Sequence, residues 1–170
     1  MVLENLSVFQ WNCRSLSTNF HYLQQYISEN QHPILCLTSL NQNWKKLPQI
    51  QGYFYPPVFS CKEIGGKIGA AIYIRNDLEY INQPSPIPKN YEDVYSIAVK
   101  VKVSKTMHIN IVSAYFNKGP NDDNINWLRN LDKKEKYIIT GDFNAHSPLW
   151  DKNATSVTNK KLLIISLIQA

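Results

Sequence analysis

Ile97, Val99, Val101 and Val103 alternate with Ala98, Lys100 and Lys102. A side-chain period of two belongs to a strand, and one apolar row has to be laid over a core. The alternation predicts a half-exposed strand and commits the chain to a sheet. His108 to Phe116 reads as a second strand, joined to the first as a hairpin through Ser104–Met107. Shorter apolar runs continue the pattern. Leu6 to Trp11 reads as a strand arriving at Asn12, Ile34 to Leu37 as a buried strand, and Ile68 to Ile74 as another. Lys136 to Thr140 reads as a strand that ends at Gly141-Asp142.

Helical spacing enters between the first two strands. Phe20, Leu23, Tyr26 and Ile27 share one side of a helix that Ser17 or Thr18 can cap and that runs to about Glu29. Strand, helix, strand in that order suggests a two-layer α/β unit. Asn124 can cap a further helix containing Ile125, Leu128 and Leu131, and KKLLIISLIQA at 160–170 reads as an amphipathic or buried helix. Residues 41–60, with prolines at 48, 56 and 57, read as irregular, and 84–88 as a loop. Gly65, Gly66 and Gly69 permit a tight connection into a strand, but no GKS or GKT ending follows, so they form no phosphate loop.

Composition sets limits on this picture. With 44% apolar and 18% charged residues over 170 positions, the chain reads as one domain with a real core. The formal charge of +5 suits a polyanionic partner, and ordinary solubility explains it equally well. Lys100, Lys102, Lys105 and Lys118 are the candidate backbone contacts. Cys13, Cys36 and Cys61 are odd in number and form no CxxC pair, which argues against a disulfide framework and for the cell interior, nucleus or cytoplasm. No apolar run approaches the roughly 20 residues of a membrane span, and the start MVLENLSVFQ lacks the pattern of a signal peptide. His21, His32 and His108 have no metal-ligand spacing.

Several expected strands end on a polar residue: Asn12, Ser39, Tyr115 and Asp142. If those ends converge, they form a cleft above a sheet. The stretch GDFNAHSPLW at 141–150 is the richest in chemistry. Asp142 can bind a metal or orient water. Asn144 can hold a phosphate oxygen through its amide nitrogen or a metal through its carbonyl, and Asn12 can supply a further oxygen or amide donor. Tyr115 can donate to a phosphate oxygen or position an attacking water, and His146 can contact phosphate. The competing reading makes D-x-N a hydrogen-bonded turn and the tyrosine a core aromatic.

Five segments, in order, carry a family resemblance: VFQWNCRSL at 8–16, ILCLTSL at 34–40, GGKIGAAIYIR at 65–75, INIVSAYF at 109–116 and YIITGDFNAHSPLW at 137–150. Together they resemble the endonuclease/exonuclease/phosphatase superfamily, and most closely the apurinic-type endonuclease domain of non-LTR retrotransposons. The resemblance implies a four-layer α/β sandwich of two packed mixed sheets flanked by helices, here one incomplete domain over 1–170 with its C-terminal part missing. It implies hydrolysis that nicks DNA with Mg²⁺ or Mn²⁺, and a reverse transcriptase in a longer parent polypeptide. Carried over by motif, Asn12 and Asp142 belong to the metal site, and Tyr115, Asp142 and Asn144 to the catalytic set. His146 stands near the phosphate.

Two departures qualify that expectation. Ser39 aligns with the family's metal-binding glutamate, and a neutral hydroxyl holds Mg²⁺ far less well than a carboxylate. The family's distal Ser-Asp-His-type segment has no counterpart, since neither histidine nor an acidic residue follows Ala154. Metal binding is therefore expected to be weakened and hydrolysis to be weak or absent. A non-catalytic nucleic-acid-binding remnant and a phosphatase-like phosphoesterase are the alternatives.

Overall fold

A computed structural model describes residues 6–55, 57–61, 68–87, 94–118 and 126–145. Eight strands form two mixed sheets. The first contains β1 (Val8–Asn12), β2 (Ile34–Thr38), β3 (Val58–Cys61) and β4 (Ile68–Ile74), in the order β1-β2-β4-β3. The second contains β5 (Tyr80–Gln83), β6 (Val94–Lys102), β7 (His108–Phe116) and β8 (Tyr137–Asp142), in chain order. β1 runs parallel to β2 and β7 parallel to β8; the other pairings are antiparallel.

Period-two alternation sorts the side chains into three apolar layers. Ile34, Cys36, Ile72, Ile74, Val99, Val101 and Ile111 fill the space between the sheets. The alternate residues of the first sheet, Leu35, Leu37, Ala71 and Tyr73, face the helix α1 (Leu16–Glu29), which covers them with Leu16, Leu23, Phe20 and Ile27. The alternate residues of the second sheet, Ala98, Val112, Ala114 and Phe116, lie under Trp127, Leu128 and Leu131. The layering has the expected sandwich form, with limited helix. Among the described residues no helix is long and apolar enough to cross a membrane.

Several local expectations change. α1 starts at Leu16, ahead of Ser17 and Thr18. The amide of Ser15 donates to the Ser39 carbonyl at 2.9 Å and that of Leu16 to the Leu40 carbonyl at 3.0 Å. Backbone bonds to the β2 exit, not a side-chain cap, fix where the helix begins. The stretch 41–60 is not wholly irregular, because it contains a short 3₁₀ turn and most of β3. β5 carries no apolar alternation that sequence could show. Among the described residues its YINQ is an edge strand, paired with β6. β6 is half-exposed over 99–102, where buried Val99 and Val101 alternate with partly exposed Lys100 and Lys102, but Ala98 is 2% exposed because the second sheet is covered on both faces there. The helix expected around Leu128 is a 3₁₀ turn over Asn126–Asn130, while Asn124 and Ile125 fall outside the described residues. The C-terminal helix at 160–170 also falls outside them.

Candidate functional site

The parallel strands β1 and β2 of one sheet, and β7 and β8 of the other, end on the same side of the sandwich. Along each one, the row between the sheets turns from apolar to polar. Val8 gives way to Gln10 and Asn12, Ile34 to Thr38, Ile111 to Ser113 and Tyr115, and Ile138 to Thr140 and Asp142. The layer opens at its polar end into a cleft of about 730 Å³.

The expected convergence of Asn12 and Asp142 is present. Asn12 Nδ2 donates to Asp142 Oδ2 at 2.5 Å, across 130 positions of sequence and from one sheet to the other. The second carboxylate oxygen accepts the backbone amide of Asn144 at 2.9 Å. D-x-N is thus a hydrogen-bonded turn and a cleft wall at once. Asn144 Nδ2 donates to the Phe116 carbonyl at 2.8 Å and pins the β8 exit to the β7 exit. That amide nitrogen holds backbone, which leaves Oδ1 as its polar atom for a ligand. Tyr115 stands opposite Asp142 in the β7–β8 register and donates its hydroxyl to Asn117 Oδ1 at 3.2 Å. Ser39 lines the same cleft. His146 lies outside the described residues.

Two glycines make this arrangement possible. A Cβ on Gly141 would lie 1.8 Å from the Ala114 carbonyl oxygen, and Gly141 has φ +146°. Only glycine lets β8 reach Asp142 in this register. A Cβ on Gly69 would collide with the Tyr95 ring at 2.1 Å, so its absence gives that ring its place on the cleft wall.

Sequence reasoning passed over Arg14, Ser15, Asn41, Tyr95 and Asn117, which also line the cleft. Arg14 was within reach of the motif, because it stands two residues beyond Asn12 in WNCRSL and its amide donates to Asn12 Oδ1 at 3.2 Å. A further signal lies in the backbone. Arg14, Ser15, Ser39, Asn41 and Asn144 have φ between +44° and +88°, and they are all the non-glycine residues of positive φ among those described. Every one lines this cleft. Such strain collects where a fold holds side chains for a ligand.

Two of the four candidate backbone lysines already have acidic partners. Lys100 Nζ is bound to Glu135 Oε1 at 2.7 Å, and Lys102 Nζ to Glu79 Oε2 at 2.6 Å. Each hydrogen bond holds its carboxyl below the usual range. Both lysines are paired within the second sheet. Cys13 sits between Asn12 and Arg14, but burial pushes its thiol up to about 12, so it supplies no thiolate near neutrality.

The donor set decides whether Mg²⁺ fits. A hard divalent cation wants several oxygens and negative charge. Among the described residues, no three His, Cys, Asp or Glu side chains gather to hold a metal. Among the described residues the cleft has one carboxylate, Asp142, and each of its oxygens already accepts a hydrogen bond. Ser39 adds a neutral hydroxyl, and Arg14 adds a positive charge. The described residues do not fit a tight Mg²⁺ site.

A family model described as "Endonuclease-reverse transcriptase" matches residues 109–170. A comparison with curated proteins finds no match. Among solved structures, the endonuclease domain of TRAS1, a telomere-specific non-LTR retrotransposon, is similar at 20% identity and a TM-score of 0.65, over 89% of this chain and 65% of that one. An AP endonuclease from Archaeoglobus fulgidus is similar at 22% identity and a TM-score of 0.54, over 85% and 62%. The 3′ phosphatase NExo from Neisseria is similar at 19% identity and a TM-score of 0.59, over 83% and 58%. The chain spans less than two thirds of each of these structures. It has the fold of the endonuclease/exonuclease/phosphatase superfamily, and the likeness extends to the endonuclease domain of a non-LTR retrotransposon.

Proposed function

We propose that this chain is a retroelement-type DNA endonuclease domain that keeps its phosphodiester-binding cleft but hydrolyses weakly or not at all. The observation that carries the reading is the Asn12–Asp142 pair, held across the two sheets with Tyr115 and Asn144 beside it and neutral Ser39 facing the same space. Phosphodiester hydrolysis needs an activated water and neutralised phosphoryl oxygens. The cleft has a carboxylate able to orient water and a cation able to meet an oxygen. Among the described residues it lacks the second carboxylate that a Mg²⁺ or Mn²⁺ mechanism calls for. Loss of one transition-state donor costs about 10²–10³ in rate, and several such losses are not additive. In a longer polypeptide the partner would be a reverse transcriptase domain, acting in the nucleus or cytoplasm.

The test is nicking of supercoiled plasmid in Mg²⁺ and in Mn²⁺. The expected result for the purified chain is a rate at or near that of Asp142→Ala. Robust nicking that Asp142→Ala abolishes would show a competent enzyme and refute the weakened site. Failure to bind DNA at low salt would refute the cleft's assignment altogether.

A further inference from the structure

We infer that the cleft takes the phosphodiester directly on Arg14, without a divalent cation. This rests on the reading of the cleft as a DNA phosphodiester site and adds how the anion is held there. The first support is the balance of donors and acceptors. The one anionic side chain that lines the cleft among the described residues, Asp142, accepts a hydrogen bond on each oxygen, from Asn12 and from Asn144. The hydrogen-bonding groups that remain for a ligand include donors: the Arg14 guanidinium, the Ser39 hydroxyl, and the amide nitrogens of Asn41 and Asn117. Donors around a cation fit an oxyanion, whereas a metal needs acceptors.

The second support is that Arg14 is uncommitted. Arg75, Lys100 and Lys102 are each neutralised by a carboxylate. Among the described residues Arg14 has no such partner, and its side chain is exposed at the cleft. A planar guanidinium presents paired N–H groups that match two phosphate oxygens.

The third support is rigidity. Arg14 has φ +44°, and its amide is tied to Asn12 Oδ1. The next residue is bonded through its own amide to Ser39. The left-handed backbone at Arg14 is thus held from both sides, and Arg14 lines the same cleft as the Asn12–Asp142 pair. An arginine in this place supplies the positive charge that a metal would supply in a more acidic cleft.

Fluorescence anisotropy of a short labelled DNA oligonucleotide without a terminal phosphate tests the inference, at low salt, in EDTA and in Mg²⁺. The expected dissociation constant in EDTA lies within about twofold of that in Mg²⁺, because bound metal adds little to the anion's hold. Arg14→Asn removes the charge yet tolerates positive φ. It is expected to weaken binding about tenfold and to lower the salt slope by about one, with Arg14→Lys in between. Matched thermal transitions show that the variants fold. Ser39→Glu is expected to weaken binding in EDTA and to make it respond to Mg²⁺. Binding by the unaltered chain that needs Mg²⁺, or that survives Arg14→Asn unchanged, overturns the direct hold while leaving the DNA reading intact. Displacement by inorganic phosphate at equal concentration makes this a site for free phosphate and overturns the inference. Absence of binding in both conditions overturns the DNA reading as well.

Discussion

The layer between the sheets has a closed end and an open end, built by the same strands. At the closed end Ile34, Ile74, Val101 and Ile111 exclude water and meet one another. Four positions further along, the same rows present Thr38 from β2 and Tyr115 from β7, beside Asn12 and Asp142, and the sheets part. The difference shows that polarity along a row, rather than a change of fold, makes the cleft. It also shows an asymmetry within the open end. The β1–β8 side is bound together by side-chain hydrogen bonds, while the β2 side presents Ser39 as a lone hydroxyl on a strained backbone.

The largest expected effect comes from emptying the closed end. Ile72 is 0% exposed between Cys36 and the second sheet's apolar row. Ile72→Ala is expected to cost about 2–5 kcal/mol, since transfer and cavity terms add. Urea unfolding measures this, and a loss well below 1 kcal/mol would mean that the closed end is not the stabilising one. Next is the glycine that sets the open end. Gly141→Ala places a methyl group on the Ala114 backbone at a φ that alanine resists. We expect a loss of about 3 kcal/mol, and a shift in the β7–β8 register visible as altered amide exchange at Tyr115 and Asp142. An unchanged unfolding midpoint would show that β8 accommodates a side chain there.

Smaller again is the effect of cutting the bridge. Asp142→Ala leaves Asn12 Nδ2 and the Asn144 amide without their acceptor. Because the cleft is half-exposed and water can replace part of the bond, the expected cost is about 1–2 kcal/mol. A neutral effect in urea unfolding would mean that the pair does not join the sheets in solution.

What sequence reveals follows the same division. Period two exposed β6, β7 and the apolar end of β2, because buried rows need β-branched residues that recur. The motifs located Asn12, Tyr115 and Asp142, because each stands at or next to the end of a strand that begins in an apolar run. β5 leaves no pattern because its YINQ edge packs too little to need one, and β3 is hidden because flanking prolines and aromatics look like a loop. In sequence Gly141 is only the end of a strand; its reason is the Ala114 carbonyl, which only the folded register brings near. Asn41 and Asn117 were invisible for a related cause. Each is an ordinary loop amide until long-range pairing brings it beside Asp142. Arg14 was legible as part of a motif, but its use depends on the absence of a carboxylate opposite it, which no local pattern states.

The smallest effect discriminates best between the two sides of the open end. Ser39 has φ +55°, a strained setting for a residue with a Cβ. Its amide donates to the Gly69 carbonyl at 2.9 Å and its carbonyl accepts from Ser15 at 2.9 Å. A glycine would keep both bonds and lose only the strain and the hydroxyl. Relief of the left-handed strain and the greater entropy of glycine in the unfolded chain nearly cancel, so Ser39→Gly is expected to leave stability unchanged or raise it by up to about 1 kcal/mol. A matched urea series against Asp142→Ala measures the contrast. A loss of about 2 kcal/mol would show the hydroxyl holding a structural partner. The β2 side would then resemble the β8 side, and the open end would owe its form to both strands rather than to the Asn12–Asp142 bridge alone.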